Sequence, residues 1–173
     1  MHLGWEYNVE LSVPSEWPSG VYVAQFVTGL GVRESIFVVR PKQATPKSKI
    51  LWVLPDNTYH AYNVTGGKST YGYHSTDSEY TPIVSLDRPY ALDGTAGFLV
   101  WDQHFLAWLE REGIVVDICS QIDVHREQVG LLKHYNMVLR TGHDEYWTRA
   151  EYLAVEEYVA GGGNVAFFSV SFK

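Results

Sequence analysis

Four short apolar runs, at residues 49–54, 114–119, 135–140 and 164–169, most narrow the folds open to this chain. Their hydrophobic residues follow one another with little polar alternation, the pattern of strands covered on both faces. The intervening segments carry a different period. Phe98, Trp101, Phe105, Trp108 and Leu109 recur at helical spacing before Gly113, and Tyr152, Val155 and Val159 form a stripe over 149–160 that Gly161-Gly162-Gly163 ends. Residues 121–134 read as loop plus a short helix. Strands alternating with helices in this order predict an α/β domain whose parallel sheet has helices on both faces. Trp52, Trp101 and Trp108 are expected in its core.

The first forty residues look different. Residues 7–13 alternate apolar and polar, 21–27 and 35–39 read as two further strands, and Trp17-Pro18-Ser19-Gly20 and Thr28-Gly29-Leu30-Gly31 mark turns. Three strands are too few to bury both faces of a sandwich. Residues 1–40 are therefore expected to be the last strands of a β-sandwich, 41–48 a proline-containing linker, and 49–173 the α/β domain, truncated at its C-terminus.

A formal net charge of −7 leaves no basic stripe for phosphates, so nucleic acid is not an expected partner. No apolar run approaches the roughly 20 residues of a membrane span, and no leader pattern opens the chain. The lone Cys119 cannot form an intrachain disulfide, and the expected compartment is the cytoplasm.

The chemistry concentrates in two places. Thr141-Gly142-His143-Asp144-Glu145-Tyr146-Trp147 follows the third apolar run and precedes Thr148-Arg149-Ala150-Glu151, a T-x-x-E capping box that predicts a helix start. Such a turn lies at the carboxyl end of a strand, where open α/β sheets bind ligands. A plainer reading has Asp144 and Glu145 only complementing the helix N-terminus. Residues 56–95 are polar and without sustained period, and loops that long are usually functional. They deliver Tyr59, His60, Tyr62 and Tyr71 toward the same edge. Phenols, a carboxylate and imidazoles form a set that suits a hard or borderline metal.

Weaker signals are set aside. Gly66-Gly67-Lys68-Ser69-Thr70 resembles part of a phosphate loop, but the full G-x-x-x-x-G-K-[ST] spacing is absent. Cys119 reads as a small buried side chain, and Asp123 and His125 as a solvated loop pair. A nucleophile elbow would need Ser or Cys where this chain has Glu145.

The blocks Thr58-Tyr59-His60-Ala61-Tyr62-Asn63, Lys68-Ser69-Thr70-Tyr71, Arg88-Pro89, Trp108-Leu109-Glu110-Arg111-Glu112-Gly113, Gly142-His143-Asp144-Glu145-Tyr146-Trp147 and Gly161-Gly162-Gly163-Asn164 together resemble the C-terminal region of the N,N-dimethylformamidase large (beta) subunit family. The resemblance covers nearly the whole chain. It implies a β-sandwich segment followed by a glutamine-amidotransferase-like α/β domain. It also implies a mononuclear ferric iron held by Tyr62, Tyr71 and Glu145, with His143 beside the metal or the substrate as a catalytic group together with Glu145. A further carboxylate of the family falls beyond residue 173, so the chain is expected to be an incomplete piece of a larger polypeptide or part of a homo-oligomer.

Two phenolates and a carboxylate would balance a trivalent ion, avoiding the cost of a buried net charge. Three protein ligands would leave positions open for water and an amide carbonyl. The leading expectation is thus hydrolysis of a small amide C–N bond. The alternative is a non-catalytic α/β module that binds a ligand or carbohydrate through its aromatics.

Overall fold

A computed structural model describes residues 9–42, 46–91 and 94–170. Its centre is a four-stranded, wholly parallel sheet of order β4-β3-β5-β6, built from β3 (Ile50–Leu54), β4 (Asp117–Ser120), β5 (Met137–His143) and β6 (Asn164–Val170). An antiparallel ribbon, β1 (Gly20–Thr28) paired with β2 (Gly31–Val39), precedes it. The helices are α1 (Asp56–Tyr62), α2 (Gln103–Arg111), α3 (Gln121–Glu127), α4 (Val129–Leu132) and α5 (Arg149–Ala160).

Successive side chains of a strand face opposite ways, and the core divides accordingly. Leu51, Val53, Cys119 and Val138 pack with Val124, Leu131, Leu132, Ala154 and Tyr158 from α3, α4 and α5. Trp52, Leu54, Ile118 and Leu139 pack on the opposite face with Phe98, Leu109 and Ile36 of the ribbon. The ribbon is thus joined to the sheet's core. The Ser19 hydroxyl both donates to and accepts from the backbone of Ile118 on the outer strand β4. The C-terminal end of the 41–48 segment is also tied down, since the amides of Lys47 and Ser48 donate to Asp117.

Several expectations need correction. The 7–13 strand is not formed over residues 9–13, whose exposed side chains have no surface on which to bury an alternating face; residues 7 and 8 lie outside the described residues. Within 56–95, α1 and two 3₁₀ turns, Gly72–His74 and Thr76–Ser78, are present. A helix of two turns is too short to reveal a period. The 98–109 helix begins as a π-helical turn, Phe98–Asp102, which breaks the spacing and leaves Trp101 half exposed, as is Trp108; only Trp52 is core. Asp123 and His125 lie on α3, where Asp123 closes a capping box with Ser120 and His125 meets Thr148.

The α5 helix has its predicted limits and capping box, but a different inward face. Glu151, Ala154, Val155 and Tyr158 are buried, while Tyr152 and Val159 are exposed. The reason lies beneath it. Arg140 of β5 is fully buried, with Nε and Nη2 at 2.7 and 2.8 Å from the Asp144 carboxylate and Nη1 at 2.9 Å from Glu151. Its guanidinium also lies 4.1 Å from the centroid of the Trp147 ring. A buried cation requires charged partners, so the helix turns Glu151 inward.

A second carboxylate, Asp56 at the start of α1, is nearly as deeply buried and accepts the Gln121 amide. Burial pushes its pKa from 3.8 up to about 7, with the nearby Glu151 charge adding to the effect. The folded state therefore holds this proton more tightly than the unfolded chain. The stability it lends is full below about pH 4 and is lost as pH rises through 7. Asp56→Asn keeps the acceptor oxygen and removes the titration. Relative to the parent, the variant should gain stability on the order of 1 kcal/mol or more between pH 4 and 8, and urea unfolding across that range checks it.

Candidate functional site

The strand order reverses between β3 and β5. Chain connections leave β3 toward β4 on one side and β5 toward β6 on the other, which opens a crevice at their carboxyl ends. The α1 helix leaves β3 there and carries Tyr62 in its last turn. β5 ends there with His143, and Glu145 follows.

The turn after β5 is held from three directions. Gly142 has φ +67°, and a Cβ there would stand 2.4 Å from the Asp102 carboxylate, so the position requires glycine. The amides of Glu145 and Tyr146 both donate to Thr58 Oγ1 of α1, at 2.9 and 3.1 Å. Asp144 is locked to Arg140 and accepts from Trp147 Nε1 at 3.0 Å. The carboxylates at 144 and 145 thus do not serve the helix N-terminus, which Thr148 and Glu151 cap between themselves.

Tyr62, Tyr71 and Glu145 come together. The Tyr62 hydroxyl donates to Glu145 Oε2 at 2.7 Å, and the Tyr71 hydroxyl donates to Oε1 at 3.0 Å. Their ring centroids are 4.4 Å apart. His143 Nε2 lies 3.2 Å from the same carboxylate, with its ring 4.8 Å from that of Tyr62. Burial, reinforced by Glu145, pushes the Tyr62 phenol up to about 12 although the Tyr71 contact pulls it down. Tyr71 is raised as well, by burial and then by its contact with Tyr146. Without a cation, both phenols stay protonated.

Three members of this site were not singled out from sequence. Tyr146 donates to the Tyr71 oxygen at 2.7 Å. His74 donates Nε2–H to the Tyr62 carbonyl at 3.1 Å, and Thr58 fixes the turn. Tyr146 sits inside the same heptapeptide as Glu145, but nothing in the spacing tells a ligand partner from a packing aromatic. Two residues expected at this edge take other roles. The Tyr59 hydroxyl donates to buried Asp102, which Thr141 also contacts. His60 faces Tyr90 and is buried, and that burial pushes its pKa down to about 4 and keeps it neutral.

The oxygen set fits a hard cation. Phenol and carboxylate oxygens are the hard donors such an ion takes, and here they meet through hydrogen bonds of 2.7 and 3.0 Å. Among the described residues, no group of three His, Cys, Asp or Glu side chains could hold a metal ion, so any such centre here depends on the phenols.

Residues 1–171 match the family described as N,N-dimethylformamidase beta subunit-like, C-terminal. The chain belongs to this family. The N,N-dimethylformamidase beta subunits of Paracoccus aminophilus and an Alcaligenes species are 27% and 26% identical to it over 209 aligned positions. Each alignment covers 96% of this chain but 27% of the relative, so the chain spans about a quarter of the length of these dimethylformamidase subunits. Among the described residues no helix is long and apolar enough to cross a membrane.

Proposed function

We propose that the chain carries the metal-binding part of an amide hydrolase acting on a small C–N bond, with a mononuclear ferric ion held by Tyr62, Tyr71 and Glu145. The observation that carries this reading is the convergence of two phenol oxygens on one carboxylate at 2.7 and 3.0 Å. Membership of the dimethylformamidase family supports it, and the relatives' description as beta subunits supports work within a larger assembly.

A ferric ion would supply Lewis acidity toward an amide carbonyl and toward water. The chain's own residues do the rest. Loss of the two phenol protons and the Glu145 charge give three negative charges to match the ion. The Tyr146 hydroxyl continues to donate to the Tyr71 oxygen and holds that ring in place. Thr58 and the Arg140–Asp144 pair hold Glu145 in register. His143, whose Nε2 meets the same carboxylate and which lines the neighbouring cavity, would pass a proton to a departing amine nitrogen.

The test is to titrate ferric iron into the metal-free chain while recording visible absorption. One equivalent should produce a phenolate-to-iron charge-transfer band. A colourless protein at saturation would leave only the non-catalytic binding reading.

A further inference from the structure

Beside the three oxygens lies a cavity of about 350 Å³, with Tyr62 and His143 on its inner side. Its other walls include Tyr59, Val64, Tyr73, Ala96, Gly97 and Trp101. Several of the hydrogen-bonding groups along it are already engaged. The Tyr59 hydroxyl serves Asp102, Thr58 Oγ1 accepts two amides, and the Asn63 side chain spans Pro89 O and the Thr65 amide. Most of the surface lining the cavity is nevertheless carbon.

The outer wall is built with unusual backbone. Ala96 has φ +52°, a left-handed conformation that a non-glycine residue adopts at a cost and that clusters at ligand sites. Next comes Gly97, where a Cβ would stand 3.0 Å from the Trp101 ring and 3.1 Å from the Tyr59 ring. The π-helical turn then sets Trp101 edge-on to His143, with centroids 6.2 Å apart. These features keep a broad aromatic slot open directly beside the oxygen cluster.

The volume decides what such a slot takes. At about 30 Å³ per water in the liquid, the cavity equals roughly a dozen waters, within the range of pockets that hold organic ligands. A formamide with only methyl substituents would leave more than half of it empty. We propose that the site accepts amides bearing one apolar, ring-sized substituent, with Trp101, Val64 and the Ala96–Gly97 backbone selecting that group. The amide part of this assignment rests on the hydrolase reading, whereas the ring-sized subsite rests on the cavity alone.

The experiment compares N-benzylformamide with N-methylformamide on the metal-free chain by ligand-observed NMR titration, so that it is independent of iron. The benzyl compound should bind roughly tenfold tighter or more, since each methylene added in an apolar pocket is worth about that much. Trp101→Ala, at a half-exposed position, and the cavity-filling Val64→Trp should each abolish most of the preference. Equal affinity for the two compounds overturns the proposal. So does a preference that survives both substitutions, since it would place the ring elsewhere, for example in the apolar groove between Trp147, Tyr152 and Phe167. A benzyl preference without a charge-transfer band on iron addition would retain the subsite and reject only the metal reading.

Discussion

Arg140→Met is expected to cost roughly 3–5 kcal/mol of folding stability, the usual penalty for removing one member of a buried ion pair. Methionine fills much of the volume but leaves Asp144 and Glu151, both essentially inaccessible to water, without their cation. It also removes the contact with the Trp147 ring. A domain of this size is stable by about 5–15 kcal/mol, so the variant should stand close to unfolding at room temperature. Urea denaturation followed by tryptophan fluorescence measures the loss. A change below about 1 kcal/mol, the size typical of exposed pairs, would mean that water reaches the network.

Tyr62→Phe should have a large effect on the proposed centre and little on the fold. The substitution preserves ring volume and removes a single hydrogen bond to Glu145, a loss of about 1 kcal/mol. Iron affinity should nevertheless fall by about 100-fold or more, since partners one step removed from a metal already account for 10–100-fold. Tyr71→Phe should behave alike. Glu145→Gln should weaken iron binding similarly yet leave the phenolate band on whatever iron remains. Dialysis against a graded chelator, with absorption recorded at each step, separates the three. Unchanged metal content and an unchanged band in both Phe variants would end the tyrosinate assignment.

The sheet was largely legible because its strands are buried on both faces, and an uninterrupted apolar run such as Leu51-Trp52-Val53-Leu54 has few other uses. The start of α5 was legible for another local reason, since Thr148 and Glu151 satisfy each other's backbone amides within one turn. What escaped notice depends on distant partners. The inward turn of Glu151 follows from an arginine on β5, and the exposure of Trp101 follows from a π-helical turn that no apolar spacing records. In the candidate site, Tyr62 and Glu145 were named through the resemblance of their sequence blocks to the family, because position near a strand end applied equally to Tyr59 and His60. Tyr146 acts through a hydrogen bond across 75 positions of chain and Thr58 through two across 87 and 88, a relation that sequence order does not express.

The two margins of the parallel sheet are finished differently. At β4 the Ser19 hydroxyl occupies the outward amide and carbonyl of Ile118, and the β1–β2 ribbon packs alongside. Among the described residues β6 pairs on one side only, and Phe167 and Phe168 leave it 43% and 62% exposed on opposite faces. Bare strand margins template further pairing, but here only one is available. Among the described residues, a further strand joining this sheet, whether from the same polypeptide or another, would add at β6 and not at β4.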